Sequence, residues 1–85
     1  MNQRSTDPRP GDRVKIQLED SIFTGLEGTV RNVYKQDRQL VLSVVVHPTD
    51  ASDFIRKTLP AAPDGGYHTI LTRNEVDILK RSIHT

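Results

Sequence analysis

The chain contains no cysteine and no tryptophan in 85 residues. Without thiols it has no disulfide staple, no zinc–thiolate site and no cysteine nucleophile. Nothing in it points to an oxidising compartment. Aromatic residues are scarce, two Tyr and two Phe. No apolar stretch approaches the roughly 20 residues needed to cross a bilayer, and the opening residues Met1 to Asp7 lack the apolar segment of a signal peptide. These absences predict a soluble, cytoplasmic protein with no membrane partner. Excess charge of one sign is also missing. Twelve Lys and Arg face eleven Asp and Glu, a formal charge of +1. A chain wrapped in nucleic acid is usually far more basic, with a pI above about 9. The sign of the charge suits an RNA partner, but its size does not require one.

What is present fits one small domain. A chain of this length buries only about 60–65% of its unfolded surface, and its 34% hydrophobic content is lean but sufficient for a compact sheet protein. Residues 1–9 are polar and carry Pro8, so they are expected to form a flexible tail before a domain spanning residues 10–82.

The strongest pattern follows. Between Arg13 and Leu18, Val14, Ile16 and Leu18 alternate with Arg13, Lys15 and Gln17, the signature of a half-buried strand. Glu19-Asp20-Ser21 reads as a polar loop and Phe23 as its apolar anchor. Gly25 and Gly28 then punctuate a tight return, where positive φ or close backbone approach favours glycine. Leu26 between them is free to point back into the interior. A second strand runs from Thr29 to Tyr34. Val30 and Val33 break its alternation, which predicts a bulge or sharp bend. Residues 35–39 read as a polar hairpin loop. Leu40 to Val46 is the longest apolar run and the expected central strand.

Beyond His47-Pro48 the regularity stops. Residues 49–59 are expected to hold a short helix, capped by Thr49 or Asp50, with Phe54, Ile55 and Leu59 facing inward. Pro60 and Pro63 end it, and Asp64-Gly65-Gly66 forms a turn. A fourth strand follows at Tyr67 to Thr72, then a single helical turn at Arg73 to Val76 and a closing strand from Asp77 to Arg81. The strand–glycine turn–strand segment predicts a small β-barrel, an all-β architecture that binds ligands far more often than it catalyses reactions.

Gly11-Asp12-Arg13-Val14-Lys15-Ile16 and Phe23-Thr24-Gly25-Leu26-Glu27-Gly28-Thr29-Val30 together resemble the KOW motif. That motif occurs in the C-terminal domain of NusG-type transcription factors and in several large-subunit ribosomal proteins. Thr72 to Leu79 is similar to the closing segment of SH3-like barrels, in which a helical turn precedes the last strand. The resemblance covers roughly residues 10–46 and implies a five-stranded SH3-like barrel with a long loop or short helix, about 47–66, inserted before the fourth strand. The chain departs from the family at Ser21, where a glycine is usual, and in the length of the 47–66 segment. The opening also resembles that of small accessory subunits in photosynthetic electron-transfer complexes.

Candidate sites follow, each with a plainer competitor. Arg31, Lys35 and Arg38, near Arg13 and Lys15 in sequence, are placed to form a basic face beside Tyr34, with phosphate contacts and a stacking aromatic for RNA. The competing reading is a solvated charged surface, interleaved with Glu27 and Asp37. Phe23, Thr24 and Leu26, around the Gly25 and Gly28 turn, are placed to dock a protein, as the resemblance implies for ribosomal proteins or a termination factor. Simple core packing competes. His47, His68 and His84 are too widely spaced, with no carboxylate cluster, for a metal site. Asp50 and Asp53 read as acids near a helix start. No nucleophile elbow and no phosphate-cradling loop is present.

The expected function is a non-catalytic KOW-type module with no cofactor and no small-molecule substrate. It is expected to contact RNA or a ribosomal or transcription protein, through the Phe23–Gly28 turn and the Arg31–Arg38 hairpin. The alternative is an SH3-like accessory subunit that docks a protein, such as a redox carrier, in a larger complex.

Overall fold

A computed structural model describes residues 7–81. Five strands form one antiparallel sheet: β1 (Arg13–Ile16), β2 (Glu27–Gln36), β3 (Gln39–Val46), β4 (Tyr67–Thr72) and β5 (Val76–Lys80). Their order across the sheet is β4-β3-β2-β1-β5. Among the described residues one α-helix, α1 (Asp53–Thr58), lies between β3 and β4, and a 3-10 turn, Arg73–Glu75, joins β4 to β5. The protein is thus mostly β, with a short helix in the 47–66 insertion. No helix among the described residues is long and apolar enough to cross a membrane.

Alternation in β1 buries Val14 and Ile16 against Val30, Leu42, Val44, Val46, Ile55, Leu71 and Val76. Leu18 falls after the strand ends and packs on the margin of this core. β2 is the middle strand of the sheet; β3, although the more apolar, lies one position toward the edge. The expected central strand, β3, is thus an interior strand but not the middle one, and its apolar run reflects burial on both of its faces toward its C-terminal end, where Val44, Val45 and Val46 are all buried. The irregularity between Val30 and Val33 is a bulge: Val30 pairs with Val44 and Asn32 with Ser43, leaving Arg31 as the extra residue.

The hairpin between β2 and β3 is tighter than a five-residue loop. Only Asp37 and Arg38 turn, and both have positive φ, 51° and 66°. That is the two-residue type I′ pattern, whose twist matches the flanking strands. The helix also starts later than expected. Ser52 is its N-cap, accepting from the Ile55 amide at 3.2 Å. Ile55 is fully buried and Leu59 packs against the core, but Phe54 is 58% exposed and does not face inward.

Of the expected 1–9 tail, residues 1–6 lie outside the described residues. Pro8 is buried. The Arg9 amide donates to Asp12 Oδ2 at 2.9 Å, and Arg81 Nη1 donates to the Asp7 carbonyl at 2.7 Å.

Candidate functional site

The turn between β1 and β2 is built by backbone closure. The Gly25 amide donates to the Ile16 carbonyl at 2.7 Å, and the Ile16 amide donates to the Leu26 carbonyl at 2.9 Å. Gly25 has φ +82° with open space around it, so its requirement is conformational. Gly28 lies inside β2, and its requirement is spatial: a Cβ there would stand 2.6 Å from Val44 Cγ1 and 2.9 Å from the Val45 carbonyl oxygen. Phe23 and Leu26 are half-buried and pack against the core, while Thr24 is exposed. The turn therefore directs Phe23 and Leu26 toward the interior and leaves Ile22 and Thr24 exposed.

The basic residues of the next segment do not converge. Arg31, in the bulge, places Nη1 3.3 Å from Asp64 Oδ2. Tyr34 and Lys35 are neighbours on β2, so strand alternation directs them to opposite faces. Arg38 sits at the tip of the hairpin. Arg13 bridges Glu27 at 3.0 Å and Asp50 at 3.5 Å, Arg56 pairs with Asp53, Arg73 lies 3.8 Å from Asp7, and Arg81 3.1 Å from Asp12. Lys35 and Arg38 have no ion pair among the described residues. Compensated arginines carry less attraction for a polyanion than a bare basic stripe does.

Tyr34 belongs to a different surface. It pairs across the sheet with Val41, which pairs in turn with Thr72, while Ser43 links Asn32 to Ile70. These residues share the sheet face opposite the core positions Leu42 and Val44. Tyr34 is 46% and Ile70 60% exposed. The alternation in residues 67–72 carries a signal for Ile70, but only the strand register brings it beside Val41.

A second grouping spans the 60–66 segment and the bulge. Asp64 Oδ1 accepts from the Gly66 amide at 3.0 Å, Oδ2 lies 3.1 Å from His68 Nε2, and the Arg31 guanidinium closes the set. The Gly66 amide holds the Asp64 carboxyl below its ordinary value of 3.8 against the opposing effect of desolvation, and His68 and Arg31 add smaller contributions in the same downward direction. Arg31 and Asp64 are 33 residues apart, so no local pattern announces the pair. Of the three histidines, His47 is exposed, His68 joins Asp64, and His84 lies outside the described residues. No three His, Cys, Asp or Glu side chains among the described residues gather as metal ligands.

No family model matches the chain, and comparison with curated proteins and with solved structures returns no significant match.

Proposed function

We propose that the chain is a non-catalytic binding module, built as a KOW-type SH3-like barrel, which serves the transcription or translation machinery by docking a protein. The observation that carries this reading is the sheet order β4-β3-β2-β1-β5 with a 3-10 turn between the last two strands. In that order the final strand returns to flank the first. The long middle strand, bulged at Arg31 and crowded at Gly28, supplies the bend that lets one sheet curl into a small barrel.

Protein is favoured over RNA as the ligand by how the charges and the apolar groups are distributed. Five arginines already face carboxylates, and Lys35 points away from the face that carries Tyr34. Tyr34, Val41 and Ile70, with Asn32, Ser43 and Thr72 around them, form an apolar centre with neutral polar neighbours, the composition of a protein-docking patch. The same patch would serve an accessory subunit that holds a redox carrier or another protein in a larger complex. RNA is the second reading, carried by Lys35 and Arg38 at the hairpin.

The test is an amide-resolved NMR titration of the labelled chain with purified ribosomes, with RNA polymerase, and with a mixed-sequence single-stranded RNA at low and physiological salt. The reading expects binding to one of the two assemblies, lost in Tyr34→Ala while the spectrum stays folded, and no response to RNA. Salt-sensitive shifts at Lys35 and Arg38, with a log–log slope of about −0.7 per phosphate contact, would replace protein by RNA. Silence toward all three would overturn both.

A further inference from the structure

β4 is one edge of the sheet, and its hydrogen-bonding pattern can be worked out group by group. The two-residue hairpin makes Gln36 and Gln39 a bonded pair, so the odd-numbered residues of β3 bond β2 and the even-numbered ones bond β4. Val46, Val44 and Leu42 pair with Tyr67, Thr69 and Leu71. The backbone groups of Gly66, His68, Ile70 and Thr72 therefore point away from the sheet. Two contacts agree independently: the Thr72 amide donates to Glu75 Oε1 at 2.8 Å, and the Gly66 amide donates to Asp64 Oδ1 at 3.0 Å, both away from β3. The Gly66 carbonyl is occupied as well, by the Ala62 amide at 2.8 Å.

What is left, among the described residues, is a short open edge, the N–H and C=O of His68 and of Ile70, closed off at both ends. Edge strands in natural proteins are normally protected by lysine, proline, a bulge or a cover. The sequence Tyr67-His68-Thr69-Ile70-Leu71-Thr72 contains neither lysine nor proline, its register on β3 is unbroken, and Ile70 is 60% exposed.

We propose that this edge pairs with the same edge of a second copy of the chain, antiparallel about a two-fold axis at Thr69. In that register His68 bonds Ile70 of the second copy and Ile70 bonds His68 of the second copy, so every open donor meets an open acceptor. No other even-to-even register matches all four groups, because the amides of Gly66 and Thr72 are already engaged. The charges also match. The pairing brings Arg73, at the end of one β4, beside the Asp64-Gly65 turn that precedes the other, and does so twice by symmetry. The strand contains no Asp, Glu, Lys or Arg, and His68 faces Ile70 of the second copy, so no like charges oppose each other along the seam. The interface is isologous and closes at two copies. It is independent of the ligand read above, and its test measures self-association alone.

The full chain is examined by sedimentation equilibrium from micromolar to millimolar concentration, with amide exchange followed by NMR. The expected result is an average mass that rises from 9.6 kDa toward twice that value. Exchange at the His68 and Ile70 amides slows over the same range. Ile70→Lys, at an exposed position, keeps the fold and weakens the dimer by roughly tenfold. Register is read with Thr69→Cys, which introduces the sole thiol of the chain. Facing residues of a non-bonded antiparallel pair have Cα atoms about 4.5 Å apart, inside the roughly 4.4–6.8 Å range of a disulfide. Thr69→Cys should therefore oxidise to a covalent dimer much faster than Lys57→Cys on the exposed side of α1. A mass fixed at the monomer value throughout, or oxidation of Thr69→Cys no faster than that of Lys57→Cys, overturns the proposal. In either case the edge is left to a foreign strand or to water.

Discussion

Arg81 reaches back across the start of the fold to Asp12, placing Nη1 3.1 Å from a carboxylate that is buried from solvent. The residue just after the last strand thereby holds the residue just before the first. The Arg9 amide donates to the same Oδ2 atom, and the Asp12 carbonyl accepts from the Val30 amide. Asp12 thus joins the N-terminal segment, β2 and the C-terminal end of β5. Removing the carboxylate strands donors on two of these segments. Asp12→Ala is expected to lower stability by about 2–3 kcal/mol, the range for a lost hydrogen bond to a buried charged group. Arg81 is partly exposed and water can replace it in part, so Arg81→Ala should cost less than Asp12→Ala. Urea unfolding of the two variants checks the order, and equal losses would show that the ion pair alone explains the burial.

Gly25 and Gly28 make different demands, and alanine should expose the difference. At Gly25 a Cβ meets nothing, but φ is +82°. Gly25→Ala is expected to cost about 1–2 kcal/mol, the penalty of a left-handed L-residue, and Gly25→Asn less, because asparagine tolerates that region. At Gly28 the backbone is ordinary but the Cβ collides with Val44 Cγ1 and the Val45 carbonyl. The carbonyl belongs to a strand and cannot swing aside, so Gly28→Ala should lose about 1–3 kcal/mol by overpacking. The pairing Gly28→Ala with Val44→Ala relieves one of the two clashes. It should recover part of the loss in thermal unfolding, whereas nothing at Val44 should rescue Gly25→Ala.

Residues whose structure is set by their neighbours were readable from the chain. Val14 and Ile16 alternate with Arg13 and Lys15 because one face of β1 is buried, and Val30 and Val33 reveal the bulge because both must reach the same interior. The helix in the insertion was legible, and so was the inward facing of Ile55 and Leu59, but the exposure of Phe54 was not. Once Ser52 takes the cap, Ile55 and Leu59 stand four residues apart on one face and Phe54 is turned to the side. The rank of β2 in the sheet follows from its pairing with both β1 and β3, which hydrophobicity along the chain does not encode. The Arg31–Asp64 pair and the open edge of β4 depend on register between strands far apart in sequence. For the same reason the expected basic face separates: alternation sends Tyr34 and Lys35 apart, and Arg31 is drawn to a carboxylate from the insertion.

Asp64 gives a pH signature. Its carboxyl is held below 3.8 by the Gly66 amide, His68 and Arg31. A group whose pKa is lower folded than unfolded binds fewer protons in the native state. Its stabilisation is complete above the unfolded value and is lost as pH falls through the folded one. Asp64→Asn mimics the protonated side chain while keeping an acceptor for the Gly66 amide. The stability difference between the wild type and Asp64→Asn should therefore be constant near neutral pH and shrink toward zero as the pH drops below 3.8. A difference that persists at the acid end would place its origin outside the charge.

The hairpin tip separates folding from ligand binding. Arg38 sits at φ +66° in a two-residue turn whose second central position is normally glycine. The left-handed conformation costs a side-chain-bearing residue about 1–2 kcal/mol, part of which glycine gives back through the greater freedom of its unfolded chain. Arg38→Gly should therefore raise stability by about 0.5–1 kcal/mol and move the urea midpoint upward. If the hairpin contacts a polyanion, Arg38→Gly will be more stable and bind RNA more weakly, with a shallower salt dependence. If the working face is the one centred on Tyr34 and Val41, the same variant will gain stability and bind its protein partner unchanged. Urea unfolding and the ligand titration on this one variant then show which side of the sheet carries the function.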